Sequence, residues 1–395
     1  MPKKISVQEL APGMVVVDAG ISRRENPRLY SVPGAINSSD EILRIYSEGF
    51  RDVFIKEEDD PETVPPTAHP ADGGSEGTIN VGFKDSLILA HQLHSEHIEY
   101  SKKVLQDLKS GGNIDINEAT ALITNTIDSL DANHDAMLAV SKLLNIDTYT
   151  YTHSVNVAIF SIAFGDFLEI SRKDLTNLGI AAMFHDIGKV AIPHYILNKP
   201  GDLTEYEFSV IKTHTTTGLP FLKNIFGINT PILGGILSHH ERFDGKGYPS
   251  GLKGELIPQF ARIISIVDVY DALTSTRPYG GPVSAQKALG IIYGMRGKNF
   301  FTELVERFIR CLGVYPTGSI VRLNNGMVGF VIQQDSESPT KPNVISLFDE
   351  QGRKCEPELI KLNSQLAADG QPYTITGCEP AQDLEIDMDV LLYAF

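Results

Sequence analysis

The chain has 395 residues, 42% hydrophobic and 21% charged, which is enough for two or three domains and a sizeable core. A net charge of −16 excludes a partner held by many phosphate contacts, such as a long nucleic acid. There is no run of the roughly 18 apolar residues a membrane span needs, no secretory signal after Met1-Pro2-Lys3-Lys4, and only three widely spaced cysteines, Cys311, Cys355 and Cys378, so a cytoplasmic protein without disulfides is expected.

In chain order, residues 1–55 read as a small α/β module. Val15–Val17 and Val53–Ile55 are strand-like, and Asp40–Ser47 reads as a short helix capped by Ser39 or Asp40. Residues 56–82 form an acidic linker rich in proline and glycine. Residues 83–147 predict a helical hairpin. Phe83, Leu87, Ala90, His94, His97, Ser101, Val104 and Leu108 share one stripe of its first helix, Gly111-Gly112-Asn113 ends that helix, and Ile116–Leu144 reads as the second. The stripe is expected to pack against the next domain or, in a homodimer, against a second copy of itself. Residues 148–314 read as an all-α domain with helices at 152–168, 174–184, 205–213, 219–226, 232–242, 258–273, 284–293 and 300–312. Residues 315–395 turn β-rich, with strands at Ile320–Leu323, Met327–Ile332 and Asn343–Leu347 and a hairpin turn at Asn325-Gly326. The fold class is therefore mainly α, with an α/β module in front and a β-rich appendage behind.

The chemistry gathers in the all-α domain. His153, His185, His194, His214, His239 and His240 fall there, with Asp186 and Asp268 among or just beyond them. His153, His185, His239 and Asp268 each lie on or beside a core-facing helical stripe. A buried group of imidazoles and carboxylates is costly unless something pairs it, and divalent cations do so. Neighbours on a helix point about 100° apart, so His185-Asp186 reaches two ions only if the carboxylate bridges, and the same geometry applies to His239-His240. His194 is read as structural. His91, His94 and His97 recur every three residues outside the domain and read as a packed or solvated face. Glu241 is expected to orient a metal-bound histidine.

His153, His185-Asp186 with Gly188-Lys189, His214, His239-His240-Glu241, Asp244-Gly245-x-Gly247-Tyr248-Pro249 and Asp268 resemble, in order and spacing over about residues 148–312, the HD-GYP branch of the HD-domain phosphohydrolases. The N-terminal module and β-rich tail resemble, less sharply, the flanks of one subgroup. The resemblance implies hydrolysis of cyclic di-GMP to linear pGpG and onward to GMP. One metal would be held by His153, His185, Asp186 and Asp268, and another by Asp186, His214, His239 and His240. A water or hydroxide shared by the ions would be the nucleophile. Lys189 would balance charge on the attacked phosphate, and Arg277 would hold a phosphate. The loop Gly245–Pro249 would govern substrate access and contact diguanylate cyclases. Iron or manganese is expected, with nickel or zinc also compatible with these ligands.

Two departures stand out. Tyr149 occupies the position where some members place a third-metal glutamate, which favours two metals. Gly280-Gly281 follows Arg277-Pro278-Tyr279, where the family often adds a basic residue, which weakens the expected phosphate grip. Two alternatives stay open: another cyclic dinucleotide such as cyclic GMP-AMP as substrate, and a nucleotide sensor that docks cyclases.

Overall fold

The computed structural model describes residues 3–6, 15–18, 34–35, 52–55, 79–143, 149–223, 225–275, 281–335, 337–367 and 369–380. For the first four segments and for residues 79–81, 149 and 150 it describes the backbone only. The chain divides into two compact units, Met1–Gly74 and Ser75–Phe395.

The first unit contains an antiparallel sheet of order β1-β4-β2-β3, formed by β1 (Lys3–Ser6), β2 (Val15–Asp18), β3 (Gly34–Ala35) and β4 (Asp52–Ile55). Lys3 pairs with Ile55 and Ser6 with Asp52. The strands expected at Val15–Val17 and Val53–Ile55 are present, and β1 joins them. The helix expected at Asp40–Ser47 lies outside the described residues.

The second unit is mainly α. It opens with α1 (Ile79–Lys109), α2 (Ile116–Ala132) and α3 (His134–Leu143). The expected single helix over Ile116–Leu144 is thus two. Asn133 breaks it with an extended backbone, and its side-chain oxygen accepts from Ala136 N–H at 3.0 Å, capping α3. The stripe of α1 is buried within the chain: Phe83, Leu87, Ala90, His94, His97 and Val104 are all in the interior. It packs on α2, α3 and α4 (Tyr149–Phe167), so the stripe serves the next domain of the same chain.

After α4 come α5 (Arg172–Met183), a 3-10 turn at Ile187–Ala191, then the short α6 (His194–Leu197), α7 (Glu205–Lys212), α8 (His214–Thr217) and α9 (Leu219–Leu222). They are followed by α10 (Thr230–Ser238), α11 (Gln259–Thr274), α12 (Ala285–Gly294) and α13 (Thr302–Leu312). Side chains set their starts: Ser171 caps α5, a Thr204–Glu207 capping box opens α7, and Asn229 caps α10. Helices α4, α5, α10 and α11 pack on one another around Phe160, Phe164, Ala181, Ile236 and Ile264.

The C-terminal strands β5 (Ile320–Leu323), β6 (Val328–Gln333), β7 (Asn343–Phe348), β8 (Leu359–Lys361) and β9 (Ile375–Glu379) form an antiparallel sheet of order β8-β7-β6-β5-β9. Side chains alternate between its faces. Ile320, Phe330, Ile332 and Ile345 join the main helical core, while Val321, Val331 and Val344 build a second, smaller core. Asn325-Gly326 makes the β5–β6 turn as expected, whereas β8 and β9 went unread because they are short and carry Lys361, Gly377 and Glu379.

Candidate metal centre

Three helices stop just short of a histidine. α5 ends at Met183 before His185, α7 at Lys212 before His214, and α10 at Ser238 before His239. The pairs His185-Asp186 and His239-His240 therefore sit in turns beyond helix ends, not on helices as the periodicity suggested. The reason is visible in the last turns. His185 Nδ1 bonds Ala182 O at 2.7 Å, His214 Nδ1 bonds Ile211 O at 2.8 Å, and His239 Nδ1 bonds Ile236 O at 2.7 Å. Carbonyls at helix C-termini have spare acceptor capacity, and each takes an imidazole N–H from three residues on. This assignment places the proton on Nδ1 and leaves Nε2 as a lone pair.

These lone pairs converge. Asp186, His214, His239 and His240 offer ligand atoms within 4.8 Å of one another, and His153, His185 and Asp268 form a second such group. Asp186 lies between them. Its Oδ1 is 3.4 Å from His214 Nε2, while its Oδ2 is 3.3 Å from His185 Nε2 and 3.8 Å from His153 Nε2. His153 on α4 reaches Asp268 Oδ1 on α11 at 3.2 Å. One carboxylate oxygen therefore faces each group.

The donor set fits divalent cations on direct grounds. His185 Nε2 is buried without a hydrogen-bond partner although Asp186 Oδ2 is near, because two lone pairs face each other. His214 Nε2 and His239 Nε2 meet at 3.3 Å with both Nδ1 protons already committed. A cation between such atoms turns repulsion into coordination. Burial pushes His239 well below its usual value with His240 and His185 adding to it, and burial pushes His240 down to about 4. Both are thus held neutral, as ligands must be. Burial opposes ionisation of Asp186, but Lys189, His185 and His214 hold its carboxyl well below the usual range. For His153, burial acts downward but Asp268 and Asp271 outweigh it and raise the imidazole to about 9.

Around the cluster, Gly188 permits a close approach. A Cβ there would fall 1.9 Å from His214 O, so only glycine lets the turn after His185-Asp186 lie against α8. Lys189, in the same turn, ion-pairs with Asp186. The Tyr248 ring lies 4.8 Å from that of His240 and forms one wall of the site, with Asp244, Gly245, Gly247 and Pro249 in the loop around it. Asp244 accepts from Arg242 and from Lys246 N–H, closing the loop on itself.

The described hydrogen bonds of the Glu241 carboxylate go to the loop and not to a histidine. This buried carboxylate accepts from Ser250 N–H at 2.7 Å and Leu252 N–H at 3.0 Å, so it ties down the far end of the loop. Arg277 lies outside the described residues. His194 is exposed on α6, away from the cluster's ligand groups. His94 and His97 are packed in the core, their Nε2 atoms on Asn156 and Thr126.

One residue the sequence reading left aside stands directly behind the centre. Asp271, one helical turn beyond Asp268 on α11, accepts from His153 Nδ1 at 2.9 Å. It does for His153 what helix-end carbonyls do for the other three. The spacing Asp268-x-x-Asp271, which puts both carboxylates on one helix face, was the available signal.

An adjacent His-Asp pair in an all-α domain, among histidines whose free nitrogens call for cations, defines the class: an HD-domain metal-dependent hydrolase. Comparison with known proteins agrees. The HD domain matches residues 140–303, a KOW domain associated with HD domains matches 320–368, and a domain of unknown function, DUF3391, matches 2–119. The cyclic di-GMP phosphodiesterase PA4108 of Pseudomonas aeruginosa is 32% identical over 392 residues, spanning 97% of this chain and 93% of that one. The cyclic di-GMP phosphodiesterase response regulator RpfG of Xanthomonas campestris is 43% identical over 146 residues, 36% of this chain and 38% of its own. A 3'3'-cGAMP-specific phosphodiesterase 1 of Vibrio cholerae is 37% identical over 157 residues, 40% of this chain and 36% of its own. The chain belongs to the HD-GYP family of metal-dependent phosphodiesterases. Among the described residues, no helix is long and apolar enough to cross a membrane.

Proposed function

We propose that the chain hydrolyses cyclic di-GMP to linear pGpG, with two divalent ions, iron or manganese, in the cluster. The observation that carries the reading is Asp186, whose two oxygens face two separate groups of nitrogen ligands. The substrate is supported by the relative that matches nearly the whole chain and is named for that dinucleotide. One ion would lie among His153, His185, Asp186 and Asp268, and the other among Asp186, His214, His239 and His240. Bound there, the ions supply an activated water and offset charge at the attacked phosphorus.

The side chains do the rest. Helix-end carbonyls hold His185, His214 and His239, and Asp271 holds His153, each with Nε2 toward the cluster, so these rings are oriented for a cation beforehand. Lys189, beside Asp186 at the rim of the cluster, is placed to offset charge on a phosphate oxygen. Tyr248 supplies an aromatic wall against which a base or ribose can lie. Arg277 is proposed as the grip on the second phosphate. Lys246 and Pro249 leave the loop partly exposed, which suits it for contact with a diguanylate cyclase. The three free cysteines accord with a cytoplasmic site of action.

Chromatographic product analysis tests the reading. Protein reconstituted anaerobically with ferrous iron or manganese should convert cyclic di-GMP to pGpG or GMP, and the His185→Ala, Asp186→Ala double variant should not. Intact cyclic di-GMP with turnover of cyclic GMP-AMP would move the substrate to that dinucleotide, a reading favoured by the relatives named for it. No turnover of either by metal-loaded, folded protein would sink the enzyme reading for these substrates.

A further inference from the structure

Behind His153 the support does not end at Asp271. Asp271 is fully buried, and a buried carboxylate is stable only with its oxygens well satisfied. Oδ2 takes the His153 N–H, while Oδ1 accepts from Lys142 Nζ at 3.1 Å, Asn156 Nδ2 at 3.2 Å and Ser275 Oγ at 3.1 Å. Lys142 is the charged donor on that side. It comes from the last turn of α3, far from α11 in sequence, and its ammonium also donates to Thr274 Oγ1 at 2.7 Å. The adjoining Phe160 and Tyr270 rings have their centroids 4.7 and 4.9 Å from it. Its side chain is only 10% exposed.

The C-terminal sheet also holds α3, which packs on α1, α2 and α4 as well. Asp135, in the first turn of α3, accepts from Thr317 Oγ1 at 2.6 Å and from Gln334 N–H at 3.1 Å, on either side of the β5–β6 hairpin. At the other end of α3, Gly318 lies directly on the Lys142 stem. A Cβ at Gly318 would fall 2.6 Å from Lys142 Cβ, and its φ of +90° excludes most side chains as well. A cavity between the sheet and the helices has Lys142, Tyr270, Thr274, Gly318 and Ser319 in its wall, so the lysine stands at the seam.

We infer that Lys142, held by the C-terminal sheet through Asp135 and Gly318, is a positioning residue that fixes Asp271 and, through it, the ligand nitrogen of His153. The sheet thereby acts on one half of the metal centre and not the other, where helix-end carbonyls fix His214 and His239. The inference rests on the proposed metal-binding role of His153. Carboxylates that orient metal-binding histidines are typically worth about ten- to a hundredfold in metal affinity or activity, and a donor that fixes such a carboxylate acts through the same path.

The test measures metal binding without substrate, by chelator competition with manganese, on full-length wild type, Lys142→Met, Lys142→Arg and Gly318→Ala. Lys142→Met should weaken one ion by about tenfold or more and leave the other unchanged. Lys142→Arg, which keeps a charged donor, should recover most of that loss, and Gly318→Ala should weaken the same ion by a smaller factor. Thermal unfolding of each variant with metal bound accompanies the titrations. Wild-type affinity for both ions in folded Lys142→Met overturns the inference, as does equal weakening of both ions in step with a lowered melting temperature. Unchanged affinity in folded Gly318→Ala overturns the part assigned to the sheet. A wild type that binds two ions yet leaves cyclic dinucleotides intact would refute the proposed reaction and leave this result standing.

Discussion

The unit Ser75–Phe395 buries two sets of histidines, and they differ in where their free nitrogens point. In the cluster, His185, His214 and His239 spend Nδ1 on helix-end carbonyls and aim Nε2 at one another and at Asp186. On α1, His94 and His97 are as deeply buried but reversed. Their Nε2 atoms bond Asn156 Oδ1 and Thr126 Oγ1, and their Nδ1 atoms, among the described residues, have no hydrogen-bond partner. Thr126 gives its own proton to Leu122 O, so the His97 Nε2–H must donate to it. Burial of an imidazole is therefore not what marks a metal site. Convergence of unprotonated nitrogens on a carboxylate is.

The largest effect should come from removing that convergence. Asp186→Asn keeps the volume but takes away the charge facing both ligand groups. Losing several kcal/mol of electrostatic stabilisation corresponds to a fall in kcat of about a thousandfold or more. Metal content measured by mass spectrometry should fall with it. An Asp186→Asn protein that retained both ions and near-wild-type kcat would show that the carboxylate does not link the two groups. The equivalent change on α1, His97→Asn, should leave metal content untouched.

The cluster was legible through the resemblance that residue identity, order and spacing carry: His153, His185, Asp186, His214, His239, His240 and Asp268, the ligands it implies, lie together in two groups that could hold a metal. Helix existence was legible from apolar periodicity for the same reason. The geometry behind the ligands was not. Asp271 meets Lys142 from 129 residues away, and no local pattern specifies a contact at that separation. The helix expected over 232–242 stops at Ser238, before His239, and the expectation overran because apolar periodicity runs on through a turn when the turn is buried. Asn133 broke a predicted helix through a cap that competes with helix continuation.

The contrast between the two sets also predicts a dependence on acid. Burial lowers His94 to about 4 and His97 to about 3, against about 6.5 in the unfolded chain. Below pH 6.5 the unfolded chain therefore binds two protons that the folded chain refuses until about pH 4 and 3. Stability is full above pH 6.5 and falls as the pH drops through that window. At pH 5 the penalty is roughly 2 kcal/mol for each histidine. Urea unfolding at pH 7.5 and pH 5, at equal metal loading, should show His97→Asn losing less stability on acidification than wild type by about that amount. An identical pH dependence would mean that His97 takes up its proton in the folded state.

The smallest expected effect separates two roles for a buried acid. Asp186 faces imidazoles, whereas Glu241 faces the amides of Ser250 and Leu252 beyond the Tyr248 wall. Glu241→Gln keeps one acceptor for those two N–H groups and turns a second donor toward the other, a loss of about 1 kcal/mol. With the loop proposed as the substrate wall and His240, at its root, as its one proposed ligand, the loss should loosen substrate and spare the ions. KM for the cyclic dinucleotide should rise several-fold while manganese affinity and kcat stay near wild type. A drop in manganese affinity at unchanged KM would instead give Glu241 the histidine-orienting role expected from its place beside His239-His240. The backbone geometry argues against that outcome, since both carboxylate oxygens are already engaged by the loop.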